Sequence, residues 1–417
     1  MSAAKTATKA IDAATGDRYA TCGELVLVLN CGSSSIKFAL FDSGQSPLPR
    51  QPVWNGKVQG IGGPQPSYGE TGIEPAPVDL AGEHPYRSAL QRILAGVNAR
   101  LAGRRLHSIA HRVVHGGSKY FHPVQVSAQV LDDLRGYIPL APLHQPFALD
   151  AIDILLREQP DLPQIACFDT GFHHTLDMVE QILPLPWDAW QRGLRRYGFH
   201  GLSYQYMATA LPERHGDLAR GRTIVAHLGS GASLCAMRGL ESIATTMGFS
   251  ALDGLMMGTR TGALDPGAVL YLMEIEKLSL AEVGQILYRR SGLLGLSGIS
   301  SEPRVLVQHE DDDGETGQRA RIALAVFVRR CVREIGALVA VLGGLDLLVF
   351  TAGVGEHNDF IRQRICRDLA YLGIELDADA NAGNKAVISS AGSKVCVAVE
   401  PTNEEWIAAQ QAVQLVS

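Results

Sequence analysis

Two arginines, a set of histidines and one aspartate stand in segments whose neighbours are otherwise small or apolar. Arg112 lies in His111-Arg112-Val113-Val114-His115-Gly116-Gly117 and Arg260 in Met257-Gly258-Thr259-Arg260-Thr261-Gly262. His144 is held between prolines in Pro142-Leu143-His144-Gln145-Pro146, and His200 closes Arg196-Tyr197-Gly198-Phe199-His200. Asp169 follows the apolar run Gln164 to Phe168, at the strand end where α/β folds place ligands. A single histidine in such a setting is more often structural than catalytic. Together, cations to spread over phosphate oxygens and a carboxylate near a nucleophile or metal form the kit that phosphoryl transfer requires. No His-Glu-x-x-His helix is present, so zinc hydrolysis has no support.

Three glycine turns follow apolar strands: Gly32 to Ser35, Gly229 to Gly231 and Gly353 to Gly355. Glycine allows close backbone approach, and successive N–H groups at such a turn make a nest for phosphate oxygens. None is a Walker loop and none has Gly-x-Gly-x-x-Gly context, which disfavours P-loop and dinucleotide folds. Lys37 follows the first turn, where it reaches a phosphate or stands as a solvated strand lysine.

The elements that must position these groups are strands and helices in mixture. Leu25 to Leu29 and Ile36 to Phe41 read as a hairpin, and so do Thr223 to Leu228 and Ser233 to Met237. Asn30-Cys31-Gly32-Ser33 matches His227-Leu228-Gly229-Ser230 in register, about half a chain apart. A duplicated unit explains this, and chance recurrence of a common turn is the other reading. Helical spacing covers Tyr86 to Leu101, Ala268 to Lys277, Ala281 to Arg289, Gly317 to Leu342 and Asn358 to Leu372. Leu345 to Thr351 and Lys394 to Val399 read as strands, and Asn403 to Val416 as a last helix. The fold class is α/β.

The chain has 417 residues, 46% apolar and 19% charged, which suits two domains with substantial cores. A formal charge of −6 leaves no basic footprint for nucleic acid. The seven cysteines are scattered without a Cys-x-x-Cys pair, as expected of a reducing cytoplasm. No apolar run is long enough for a membrane span. Residues 1–23 lack an apolar signal core and read as a disordered extension.

Several of these segments resemble one known family. Val28 to Lys37, His111 to Gly117, Pro142-Leu143-His144, Phe168-Asp169-Thr170, Arg196 to Gly201, Gly254 to Arg260, Ser291 to Gly295 and Pro401-Thr402-Asn403-Glu404-Glu405 occur in the order found in acetate kinases. The resemblance implies two ribonuclease-H-like domains, as in actin, Hsp70 and sugar kinases, with an interdomain cleft. It places residues 24–170 plus 405–417 in the first domain and 171–404 in the second, nucleotide-binding one. It implies ATP/ADP, Mg2+ (with Mn2+ able to substitute), a homodimer, and acetate or another short-chain carboxylate as acceptor. Asn30 and Glu404 match metal-linked positions. Arg112 and Arg260 match cations that hold the carboxylate and the phosphoryl group, and Asp169 matches an essential carboxylate. His200 matches a transition-state donor and His144 a phosphate-side ligand. Ser33, Ser35 and Lys37 match the first phosphate turn, and His227, Leu228, Gly229, Ser230 and Gly231 the second. Gly353, Val354, Gly355, Glu356 and His357 match the adenosine side, with Glu302, Pro303 and Arg304. Val114, Leu143, Phe199 and Ala251 match the acyl pocket.

The family commonly has Asn where Ser230 and His357 stand, Asn at Gln145, Asp-Met-Arg at Glu302-Pro303-Arg304, and often Pro at Ala251. These changes bear on nucleotide base preference and on acceptance of propionate. Within the family, propionate or butyrate kinase is the alternative, and outside it an actin- or Hsp70-like ATPase. The long helix ending at Leu342 offers either dimer surface or core.

Overall fold

The computed structural model describes residues 24–80, 84–142 and 144–416. The expected extension, residues 1–23, lies outside that range, and so does Leu143.

The first sheet has eight strands in the order β5-β4-β3-β2-β1-β6-β8-β7. These are β1 (Glu24–Cys31), β2 (Ser35–Asp42), β3 (Trp54–Gln59), β4 (Ser67–Glu70), β5 (Ile73–Pro77), β6 (Arg105–Val113), β7 (Val124–Gln125) and β8 (Gln164–Phe168). The second sheet has five: β9 (Thr223–Leu228), β10 (Ala232–Arg238), β11 (Glu241–Thr245), β12 (Leu347–Thr351) and β13 (Cys396–Val399), in the order β11-β10-β9-β12-β13.

Stripped of its edge strands, the first sheet runs β3-β2-β1-β6-β8, and the two sheets then match strand for strand. In each, the first three strands form an antiparallel meander, and the next two lie parallel to the first. This is the ribonuclease-H-like topology, present twice, so the recurrence of the hairpin motif is structural duplication.

Period-2 alternation along β1 explains why the sheet holds its register. Leu25, Leu27 and Leu29 face an outer core with the helices Pro85–Arg100 and Gln145–Glu158. Val26 and Val28 face a core shared by both sheets. The helices Gly201–His215 and Glu404–Val416 fill that shared core, with Leu202, Met207, Trp406 and Ile407 buried in it. The helix Gly314–Leu342 covers the far face of the second sheet. It buries Leu324, Phe327, Ile335 and Leu338 there, so this long helix is chiefly core.

The expected helix near residue 270 spans Pro266–Glu274 and buries none of its residues. The segment after β12 departs from expectation. Gly353 to Gly355 do not form an open turn but lie in a short helix, Ala352–His357.

Candidate active site

Corresponding strands of the two sheets end at one cleft. Asn30 continues the Val26 and Val28 face of β1, and His227 continues the Val225 face of β9. Both line a cavity of about 500 Å3. Arg112, Val114, His144, Asp169, Phe199 and His200 line it too, as do Lys37, Ala251, Arg260 and Glu404. The glycine turn Gly229, Ser230 and Gly231 and the residues Gly353 and Glu356 complete the expected wall.

Arg112 is the centre of the charged side. Its Nε and Nη2 donate to the Asp169 carboxylate at 2.9 and 2.8 Å, and its Nη1 reaches Glu404 Oε2 at 2.9 Å. Asp169 is fixed by its own backbone. Its N–H donates to the Val113 carbonyl at 3.1 Å, and its carbonyl accepts from Gly201 N–H at 2.7 Å. A Cβ on Gly201 would lie 2.3 Å from that carbonyl oxygen, so no other residue fits there. Burial works against the charge on Arg112, and the pull of Asp169 and Glu404 overcomes it, so its pKa rises. Burial raises the Glu404 carboxyl to about 7 despite Arg112, and the nearby charges of Asp169 and Glu405 push the same way.

Arg260 contrasts with Arg112. Its Nη1 donates to the Ala251 carbonyl at 3.1 Å, and no ion pair to it is found among the described residues. Burial lowers its pKa. It is a desolvated cation facing a cavity, and an anion would complete it.

The imidazoles supply hydrogen bonds rather than charge. His200 and His227 stack with ring centroids 4.0 Å apart. Burial drives His200 well below the usual histidine range and His227 to about 3. Burial, then Arg260 and Arg112, bring His144 to about 4. Each stacked ring rests on two hydroxyls. His200 Nδ1 meets Ser233 Oγ at 2.8 Å, and Ser233 meets Tyr204. His227 Nδ1 meets Ser203 Oγ at 2.9 Å, and Thr402 Oγ1 donates to Ser203 at 2.8 Å. In the second chain Thr402 donates to Ser203, whose proton then goes to Nδ1, and Nε2 carries the remaining ring proton. The same sense in the first chain leaves His200 Nε2–H as a donor. A Cβ on Gly231 would stand 3.2 Å from His200 Nε2 and 3.6 Å from Arg260 Nη1. The glycine therefore leaves room where both donors converge.

The helix Ala352–His357 is tied to the cleft by Glu356, whose Oε1 accepts from Ala352 N at 2.8 Å and Thr402 N at 3.2 Å. The buried Arg362 donates to the Gly355 and Glu356 carbonyls at 2.8 and 2.9 Å. Sequence reading passed over Arg362, because a basic residue inside a helix reads as solvated surface. It also passed over Met247, Ala352, Thr402 and Glu405 as cleft residues. Of these, Ala352 has a signal in the structure alone: a left-handed φ of 64°, which it shares in kind with His200 at 57°.

Some expected ligands sit off the wall. Leu228 and Pro303 are buried, and Val354 packs on the outer core of the second sheet. Gly355 is buried behind the helix start. These four do not line the cavity. Ser33 and Ser35 lie on the first turn, which Gly32 N–H closes onto the Ser35 carbonyl at 2.8 Å, and they do not line the cavity. Glu302, Arg304 and His357 do not line it either, and Arg304 Nη2 donates to the His357 carbonyl at 3.2 Å.

Two copies of one ribonuclease-H-like fold, facing each other across a cation-lined cleft, make this a phosphotransferase of the two-domain kinase class. The chain belongs to the acetokinase family, whose model matches residues 25–410. An acetate kinase of Rhodopseudomonas palustris is 46% identical over 94% of this chain and 98% of its own length. One from Methylocella silvestris is 44% identical over the same shares. Among solved structures, Porphyromonas gingivalis acetate kinase superposes with a TM-score of 0.83 at 34% identity, over 94% of this chain and 100% of its own. A Francisella tularensis propionate kinase reaches 0.84 at 32%, over 93% and 98%.

Proposed function

We propose that this protein is a Mg2+-dependent acetate kinase that transfers the terminal phosphoryl group of ATP directly and reversibly to acetate. The observation that carries the reading is the pairing of a carboxylate-bound Arg112 with the unpaired cation Arg260 in one cavity.

Acetate is already ionised near neutral pH, so the site needs to align it rather than deprotonate it. Arg112 holds one carboxylate oxygen, and Val114, Phe199 and Ala251 shelter the methyl group. The free oxygen attacks the terminal phosphorus as the bond to the ADP oxygen breaks. Arg260 and the Nε2–H of His200 meet the charge that spreads over the transferring oxygens. The N–H groups of Ser230 and Gly231, in the turn that Gly229 N–H closes onto the Gly231 carbonyl at 2.9 Å, hold the phosphate chain, and Gly353 and Glu356 stand on the nucleoside side.

Asp169, Glu404 and Asn30 offer hard oxygen donors in one place, and burial, with the nearby charges of Asp169 and Glu405, pushes Glu404 toward neutrality. That set fits Mg2+, which takes one or two carboxylates and fills its shell with water and phosphate. When bound, the ion would neutralise phosphate charge.

Trapping of acyl phosphate with hydroxylamine, in ATP, Mg2+ and a C2 to C4 acid series, tests the reading. Acetate should give the highest turnover. Arg112→Ala, Arg260→Ala and Asp169→Ala should each lose at least ~1,000-fold in kcat. Near wild-type rates in any one, or phosphate release without an acid, would sink it.

We further assign the domains to residues 24–170 plus 405–417 and 171–404, the protein to the cytoplasm, and the assembly to a homodimer. The six described cysteines are all unpaired, which suits a reducing compartment. For the dimer, the helix Pro266–Glu274 exposes Leu270 and Tyr271, beside exposed Leu264, Ile275 and Leu280. Exposed apolar side chains so close in sequence suit a second copy. Leu270→Glu with Ile275→Glu should convert a dimer to a monomer in sedimentation, and an unchanged mass would refute this interface.

A further inference from the structure

Away from the catalytic cleft, a groove of about 670 Å3 runs between the helix Gly314–Leu342 and the helix Asp359–Asp368. Its lining carries six arginines, Arg321, Arg329, Arg330, Arg333, Arg364 and Arg367, against the two carboxylates Glu310 and Asp368. That excess of positive charge is local, since the chain as a whole is acidic.

The carboxylates are already engaged. Glu310 is clamped by Arg364 through two bonds of 2.7 Å, and Arg321 donates to the Glu310 carbonyl. Asp368 meets Arg367 at 3.2 Å. The acidic run Asp311 to Asp313 follows Glu310, toward the Arg321 end. The side chains of Arg329, Arg330 and Arg333 have no hydrogen bond or ion pair among the described residues. Arg329 and Arg333 are four apart on one helix face, a like-charge spacing that destabilises a helix slightly.

Three guanidinium groups therefore face one concave surface unneutralised, beside a fourth that already shows how the groove grips an oxyanion. The planar fork of arginine matches phosphate oxygens two at a time. We infer that this groove is a second anion site, distinct from the catalytic cleft, for a small ligand with two or more phosphate groups. Its volume suits such a ligand, and Arg329 and Arg333 are its principal contacts.

Calorimetric titration with inorganic triphosphate, at low ionic strength and without Mg2+, tests this. The wild-type chain should bind two equivalents, one in the cleft and one in the groove. Arg329→Gln with Arg333→Gln should bind one, with acetyl phosphate formation unchanged. Raising salt from about 50 to about 200 mM should weaken the groove site at least ~5-fold, as expected for exposed cations. Two equivalents in the double variant, or one in the wild type, would overturn the proposal. Citrate matching triphosphate at the groove would overturn the assignment to phosphates. Because the double variant keeps the catalytic groups, a failure here leaves the acetate kinase reading standing.

Discussion

The two halves of the cleft are built on the same five-strand frame and do opposite chemistry. On the first sheet, Arg112 and Asp169 form an ion pair that Glu404 extends from the last helix. On the second sheet's side, β9, the counterpart of β1, carries a neutral imidazole at its end, His227, stacked on neutral His200, and the cation there, Arg260, lacks a carboxylate among the described residues. The difference teaches that the frame sets positions and the side chains at strand ends set the electrostatics. One half holds opposite charges together in advance, and the other waits for an anion.

Stability should separate the two arginines most sharply. Arg112→Met strands Asp169 and Glu404, which calls for a loss of about 3–5 kcal/mol. Arg260→Met removes a buried cation that has no acidic partner, so its cost should be under ~1 kcal/mol or reversed in sign. Urea unfolding without ligands measures both, and equal losses would erase the contrast.

The next effect concerns the hydroxyl chains behind the imidazoles. Ser233→Ala should cut kcat by about 10- to 100-fold with little change in KM for ATP, because His200 loses what fixes its tautomer. Ser203→Ala should do the same for His227. An effect confined to stability, with kcat intact, would reduce both serines to packing.

The smallest effect is a pH dependence. Burial raises Glu404 to about 7 from an ordinary 4.5, so the folded chain keeps a proton that the unfolded chain releases between those values. Its contribution to stability is therefore lost as pH rises from 4.5 to 7. The buried histidines work in the other direction, so the comparison must be made against Glu404→Gln. Relative to that variant, the Mg2+-free wild type should lose stability across the window, and Mg2+ affinity should climb over the same range. A flat difference between the two would mean that Glu404 is ionised throughout.

Much of this was legible in residue patterns because it is local. The apolar run Leu25 to Leu29 marked β1 as a strand, and Asp169 was found by its place after an apolar run. The matching strand–glycine–strand segments pointed to the duplication. What stayed hidden depends on contacts between distant segments. Thr402 supports His227 through Ser203, a partner 199 residues away, and no spacing rule reaches that far. Arg362 and the helix Ala352–His357 were misread because a glycine-rich stretch after a strand looks like a turn until a buried guanidinium is found holding its carbonyls. The bare apolar face of Pro266–Glu274 looked like ordinary helical periodicity, since pattern alone does not say what covers a face.

The placement of the last helix has a consequence for how the molecule is made. Glu404–Val416 covers the inner face of β1 and β6, which leave the ribosome well before it does. Val26, Val28 and Ala110 must therefore wait for part of their cover until the segment up to Glu404 has been translated. The residue that completes the Arg112 bridge emerges with the cover itself. Maturation of the first sheet is thereby coupled to arrival of this later helix, and a ribosome stalling before codon 404 would release a product with neither a sealed first sheet nor a finished cleft.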